Sequence, residues 1–267
     1  MVSRLKNVYV FLGPSLQEEN ARKILPEARF LSPVRCGDII HLMRLNPKAI
    51  VIIDGYFDHS AAVWHKEILF ALSRGVLVFG ASSMGALRAA ELYPYGMRGI
   101  GKIFESYCNG KIVDDDEVAL LHTANTKGFC KLTEPMVNIR ATVESALKDS
   151  VISEDMANKI INIAKSIFYG ERTIARIHQE IKKDHSVIEA NVFMNWLSQN
   201  GILDQKAADA RQALITVKDI LELKQGGAQI SSADRTFHQC PHSIFFRALL
   251  LKSMCRSFPQ DYVWLPK

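Results

Sequence analysis

The sequence predicts an α/β fold: a parallel sheet flanked by helices, Rossmann-like or hydrolase-like, in the amino-terminal half, with a mainly helical carboxyl-terminal half. Three observations predict it. Short apolar runs alternate with helical patterns up to about Thr123, the order that builds parallel strands covered by helices. The run before Asp54, Ala49 to Ile53, is apolar throughout rather than at every second residue, as strands buried on both faces are. After Asn125-Thr126-Lys127-Gly128 the periodicity becomes helical. The expected organisation is residues 1–125 as the α/β core and 126–267 as a helical region, packed on that core or forming a partner-binding lobe.

Val8 to Leu12 reads as the first strand. Gly13-Pro14-Ser15 follows it, and Ser15-Leu16-Gln17-Glu18 has the S-x-x-E spacing of a capping box opening a helix to Leu25. Ala28 to Leu31 is the next strand and Asp38 to Leu45 the next helix. Ile50 to Asp54 is a buried strand, and Ala61 to Arg74 a helix interrupted by His65, Lys66 and Glu67. Val76 to Phe79 is a strand that passes through Gly80-Ala81-Ser82-Ser83-Met84-Gly85 into an alanine-rich helix. Val118 to His122 is a candidate strand. Helices are expected over Glu134–Leu147, Glu154–Phe168, Thr173–Lys183, Val187–Ser198 and Leu203–Leu223. A loop from Gln225 through Ser232 and a last helix around Pro241–Arg256 complete the chain.

The segment from Gly75 to Leu92 carries the chemistry. Ser83 lies two residues after Ala81 and two before Gly85, a small-x-Ser-x-Gly elbow between strand and helix. Small neighbours are what a nucleophile turn needs, because bulk would clash at the bend. Backbone N–H groups from Met84 onward would face a developing oxyanion. Helix capping by either serine is the competing reading, and Ser82 is the alternative nucleophile. On the preceding helix the neighbours of Lys66 are Ala62, Val63, Leu69 and Phe70, all apolar. Such a lysine snorkels or is desolvated. Desolvation disfavours an ammonium, and a lysine kept neutral can act as general base to a serine. His65 is a competing base. Asp54, at a strand end, either supports the lysine or closes a turn. Gly13 borders the same crevice at the carboxyl ends of the strands. Arg88 and Glu91, three apart, read as an ion pair.

The blocks DGYF at Asp54–Phe57, HKEIL at His65–Leu69, GASSMGALRAAEL at Gly80–Leu92, GMRGIG at Gly96–Gly101 and DDDEVALLH at Asp114–His122 together resemble the TfuA-like family. VFLGPSL at Val10–Leu16 extends the likeness, which loosens beyond about Arg140. The resemblance implies a partner of a YcaO enzyme, which uses ATP to activate a peptide-backbone amide so that sulfur can replace its oxygen. It implies a hydrolase that frees sulfide from the C-terminal thiocarboxylate of a ThiS-like, ubiquitin-like sulfur carrier. The peptide substrate would be met through YcaO. It places a Ser-Lys pair on Ser83 and Lys66, with His65, Asp54, Ser82, Met84, Gly13 and Arg88 as possible support. A non-catalytic adaptor that binds YcaO and recruits its peptide is the alternative.

Composition bounds the rest. Apolar content of 48% and charged content of 23% over 267 residues are globular values. No secretory signal is expected, because the apolar run after Met1–Asn7 ends at Gly13, and no run is long enough for a membrane span. A cytoplasmic enzyme is the expectation. The net charge of +5 suits an acidic carrier as readily as nucleic acid, but with no Walker motif, G-x-G-x-x-G or aromatic-basic RNA motif, nucleic acid is not expected as a partner. The five cysteines form no C-x-x-C. His238-Gln239-Cys240-Pro241-His242 lacks a second ligand pair, and the acids Asp114–Glu117 read as a solvated or partner-facing edge. Neither a metal nor a cofactor is expected on this chain.

Overall fold

Every residue of Val8–Phe11 (β1) and of Ala49–Ile52 (β3) is buried, as continuous apolar strands in a doubly covered sheet must be. The computed structural model describes residues 7–56, 60–123, 128–183 and 187–223. Phe57, the residues 125–127, the expected loop 225–232, the helix 241–256 and the His238–His242 cluster lie outside them. Contacts divide the chain into a unit of residues 1–111 with 207–267, and a second unit of 112–206. The sequence reading places its single boundary at 125.

In the first unit β1, Arg29–Leu31 (β2), β3, Leu77–Ala81 (β4) and Arg98–Ile100 (β5) form one parallel sheet in the order β2-β1-β3-β4-β5. Successive strand residues face opposite sides, and the core divides accordingly. Tyr9, Phe11, Ile50, Ile52 and Val78 pack with the helices Asp38–Leu42 (α2), His65–Ser73 (α3) and Met84–Leu92 (α4) through Ile39, Leu42, Ile68, Leu72, Ala89 and Leu92. Val8, Val10, Ala49, Val51, Ile53 and Phe79 pack on the other side. There they meet Ala21 of Glu18–Ile24 (α1) and Ala210, Leu214 and Val217 of Gln205–Leu223 (α10). The chain leaves β1 toward β2 on one side and later enters β3 on the other. The carboxyl ends of β1 and β3 therefore flank the switch point where α/β sheets open a crevice.

Three differences from the sequence reading have local causes. α3 starts at His65, not Ala61, so the charged triplet occupies its first turn instead of interrupting its middle. Ser15 does not cap α1, whose N-cap is Gln17 with no side-chain bond, because its hydroxyl is drawn to Asp54 instead. The 118–122 segment forms no strand; only His122 bridges to Lys131. β5 and Lys102–Cys108 (α5) are additional elements.

In the second unit Met136–Lys148 (α6), Glu154–Ser166 (α7), Ile174–Lys182 (α8) and Val187–Asn200 (α9) enclose a core of Ile139, Val143, Met156, Ile160, Ile177, Ile181 and Phe193. Ser153 and Thr173 cap α7 and α8 through their side chains. Among the described residues no helix is long and apolar enough to cross a membrane.

Candidate functional site

β4 ends at Ala81 and α4 begins at Met84, which leaves Ser82 and Ser83 to turn the chain. The Ser83 N–H donates to the Ala81 carbonyl over 2.8 Å, and Ser82 between them has φ +67°. A three-residue turn closed around a positive φ is the strained form of the γ-turn. Strain of this kind is held by its surroundings, and here those are tight. A Cβ on Gly85 would lie 1.7 Å from the Ile52 carbonyl oxygen, and one on Gly80 would lie 2.1 Å from that of Gly85. The two glycines thus let α4 descend onto β3 and β4, which forces the sharp bend. Both serines are buried, Ser82 fully and Ser83 at 7% exposure.

Ser83 stands at the N-cap of α4 but its side chain makes no cap bond. Its ψ of −126° departs from the extended value that aims an N-cap oxygen at the next turn. The competing reading of the serine as a capping side chain is therefore not realised. Among the first amide groups of α4, Ser83 donates to Ala81, Gly85 to Ile53 at 3.3 Å, and Ala86 back to Ser83 at 2.9 Å. The Met84 N–H is the one that this pattern leaves for an oxyanion. The Met84 side chain is buried and would be struck by a Cβ on Gly55.

Asp54 closes a turn. Its carboxylate, 2% exposed, accepts from Gly13 N–H at 2.9 Å, Ser15 N–H at 3.1 Å and the Ser15 hydroxyl at 2.6 Å. It thereby locks the loop after β1 against the end of β3 at the switch point. Ser15 is the partner the sequence reading assigned to a cap.

Lys66 is half-buried in the first turn of α3. His65 beside it is exposed, and its Nε2 lies 2.8 Å from Glu91 of α4. Arg88 donates to Glu91 over 2.7 Å and to the Val63 carbonyl over 3.2 Å. Burial pushes the Glu91 carboxyl up, but the hydrogen bonds from His65 and Arg88 outweigh it and hold the group below its usual range. The structure thus brings His65 and Arg88 together on Glu91, and Gly13 together with Asp54. These α3–α4 contacts meet α4 about two turns beyond Ser83.

A residue with no assigned role, Glu67, is the most buried charge here, with 0% exposure. Its two oxygens each lie 2.9 Å from Gly37 N–H, and one accepts from Trp64 N–H at 3.2 Å. Burial pushes its carboxyl up to about 7 against those bonds. Burial, then the charge and hydrogen bond of Glu67, push the Cys36 thiol up to about 11. The available signal was position: Glu67 is the third residue of α3, where a glutamate reaches back to the N-cap amide.

In the second unit Asp114 and Asp115 are exposed, as an edge of acids would be, whereas Asp116 and Glu117 are drawn into ion pairs. Glu117, 2% exposed, accepts two bonds of 2.8 Å from Arg140. Buried Arg172 donates to Asp116 at 2.8 Å. The Lys165 ammonium contacts Asp116 and lies 3.0 Å from Asp114 and 3.1 Å from Glu117. These three carboxylates could gather a metal ion by spacing, yet the ammonium already stands among them. Burial raises Asp116, but the bonds from Lys165 and Arg172 prevail and lower it.

A family model described as TfuA-like protein matches residues 54–173, and it bears out the resemblance read from the motifs. The match takes in α3, the elbow and α4 of the first unit, and the ion-paired acids, α6 and α7 of the second. Comparison with curated proteins finds no match.

Proposed function

We propose that this chain, TfuA-like over residues 54–173, works in the cytoplasm beside a YcaO enzyme in peptide-backbone thioamidation, as a hydrolase that frees sulfide from a protein thiocarboxylate. The donor is the C-terminal glycine thiocarboxylate of a ThiS-like carrier, and the peptide and the ATP belong to YcaO. One observation carries the reading: a buried serine sits at the N-cap of α4, beside a strained turn, with its hydroxyl not used as a cap.

The chemistry follows from those groups. Lys66, as general base, takes the Ser83 hydroxyl proton while Oγ attacks the thiocarboxylate carbon. The Met84 N–H, at the positive end of the α4 dipole, holds the oxyanion. Collapse expels the sulfur, which leaves as hydrosulfide with the proton returned by the Lys66 ammonium. Water then attacks the acyl-serine with Lys66 again as base, the Lys66 ammonium returns that proton to the leaving Ser83 oxygen, and the carrier departs as a carboxylic acid that ionises to the carboxylate. The net change is thiocarboxylate plus water to carboxylate, hydrosulfide and one proton. Asp54 contributes by fixing the Gly13–Ser15 loop, and Arg88 by tying α4 to the segment before α3.

The test is sulfide release from thiocarboxylated carrier. Ser83→Ala and Lys66→Ala are each expected to lower it by on the order of a hundredfold or more, with unchanged circular dichroism. Release at the wild-type rate by either variant overturns the assignment. A wild-type protein that releases nothing yet binds YcaO would be the adaptor.

A further inference from the structure

Glu67 is a buried carboxylate whose partners are backbone N–H groups and a thiol, not a cation. It joins three pieces of the fold. Gly37, at φ +95°, is the N-cap of α2 and turns its N–H onto both carboxylate oxygens. The Ile40 amide of α2 adds a smaller influence that favours the ionised form. Trp64 N–H supplies the contact at the start of α3. Cys36, whose own amide donates to Ala61 at 2.8 Å, adds its thiol. The residue immediately before Glu67 in the chain is Lys66.

We propose that Glu67 is a positioning residue for the reaction: ionised, it clasps the first turn of α3 to the Cys36–Gly37 loop and the start of α2, and so fixes where the Lys66 side chain stands. The inference rests on Lys66 being the base of the proposed hydrolysis. An ionised carboxylate offers acceptors to every one of these donors. A protonated one turns an O–H toward N–H groups that can only donate, and the clasp loosens. Because burial brings the carboxyl to about 7, that exchange occurs near neutrality.

Other titratable and charged groups face it from the neighbouring elements. Asp38 of α2 acts on it with like charge and is itself bound by the Arg35 amide at 2.9 Å and faced by its guanidinium at 3.6 Å. Cys36 stays a thiol, and the Tyr56 hydroxyl is raised by burial. His41 of α2 turns Nδ1 to the Gly37 carbonyl at 2.7 Å. On α4, Glu91 is engaged by both Arg88 and His65.

Two measurements on the full chain test this. In an NMR titration the Gly37 amide is expected to shift with a midpoint near 7 in wild type and not at all in Glu67→Gln. In the second, a synthetic peptide ending in a glycine thiocarboxylate is the substrate. The wild-type kcat is expected to rise through the same midpoint. In Glu67→Gln that limb is lost and kcat falls roughly tenfold at pH 8, with KM unchanged. A Glu67→Gln pH profile superimposable on wild type, with Lys66→Ala inactive, overturns this inference alone. Full activity of Lys66→Ala overturns the proposed reaction as well. Should Glu67→Gln fail to fold, the two wild-type midpoints must coincide; a separation of one pH unit or more overturns the clasp.

Discussion

At the residue scale the strain falls on Ser82 and the unspent hydroxyl on Ser83. The sequence puts the small-x-Ser-x-Gly spacing on Ser83 and leaves Ser82 as the alternative, and the backbone gives the two different surroundings. Ser82 is held at φ +67° by the bond that Ser83 makes to Ala81, and Ser83 is left at the helix start. Only glycine adopts such a φ without cost. Substituting Ser82 by alanine removes the hydroxyl but keeps the Cβ penalty, whereas glycine removes both. Ser82→Gly is therefore expected to be more stable than Ser82→Ala by about 1 kcal/mol, as measured by urea denaturation. Equal stabilities would mean that the turn relaxes and the strain is not stored there. Asp54 shows the converse case. Its position at a strand end was legible, but its partners Gly13 and Ser15 lie about 40 residues away in sequence, and no local pattern announces them.

At the scale of elements, the site depends on how closely α4 approaches the sheet. Read as sequence, Gly85 completes a nucleophile-elbow pattern. In the structure it is the point where helix backbone meets strand backbone, 1.7 Å from the Ile52 oxygen for any added Cβ. Neither backbone is the flexible end of a side chain, so one element must move. Gly85→Ala is expected to destabilise the protein by about 3 kcal/mol, at the upper end for overpacking, and to lower sulfide release even in molecules that fold. Thermal denaturation checks the first part, and a wild-type midpoint would show that the elbow is looser than its contacts imply. The strands whose apolar runs are continuous were legible, as were the helices between Glu134 and Leu223. β5 was not, because Arg98-Gly99-Ile100 has no strand pattern of its own and exists through its pairing with Phe79, Gly80 and Ala81. The start of α3 was misplaced for a related reason. The apolar period runs back to Ala61, but Glu67 bonding to Trp64 and Gly37 begins the helix four residues later.

At the scale of the whole molecule, α10 is the element that sequence order hides. It follows the helices of the second unit, yet its apolar residues complete a face of the first unit's sheet. The Asp209 carboxylate, 1% exposed, accepts from Ile103 N–H at 2.8 Å and so caps α5 from 106 residues away. The second unit is tied at its own ends as well. The Lys206 ammonium donates to the Val118 carbonyl over 2.9 Å, and Asp204 accepts from Lys131 at 2.8 Å and from Asn138 at 3.2 Å. A unit whose ends are fastened together and whose core is its own has the form of an insertion into another domain. Its buried Arg172, the Glu117–Arg140 pair and the apolar core all find their partners between residues 112 and 206. The fragment 112–206 is therefore expected to fold alone, with helical circular dichroism and one cooperative thermal transition. The fragment 1–111 is expected not to, because without α10 it exposes Val8, Val10, Val51 and Ile53 and leaves the Ile103 amide without its carboxylate. Adding residues 207–267 to it through a short flexible linker should restore a cooperative transition. If 1–111 folds by itself, or if 112–206 stays unfolded, the division into an outer sheet unit and an inserted helical one is wrong.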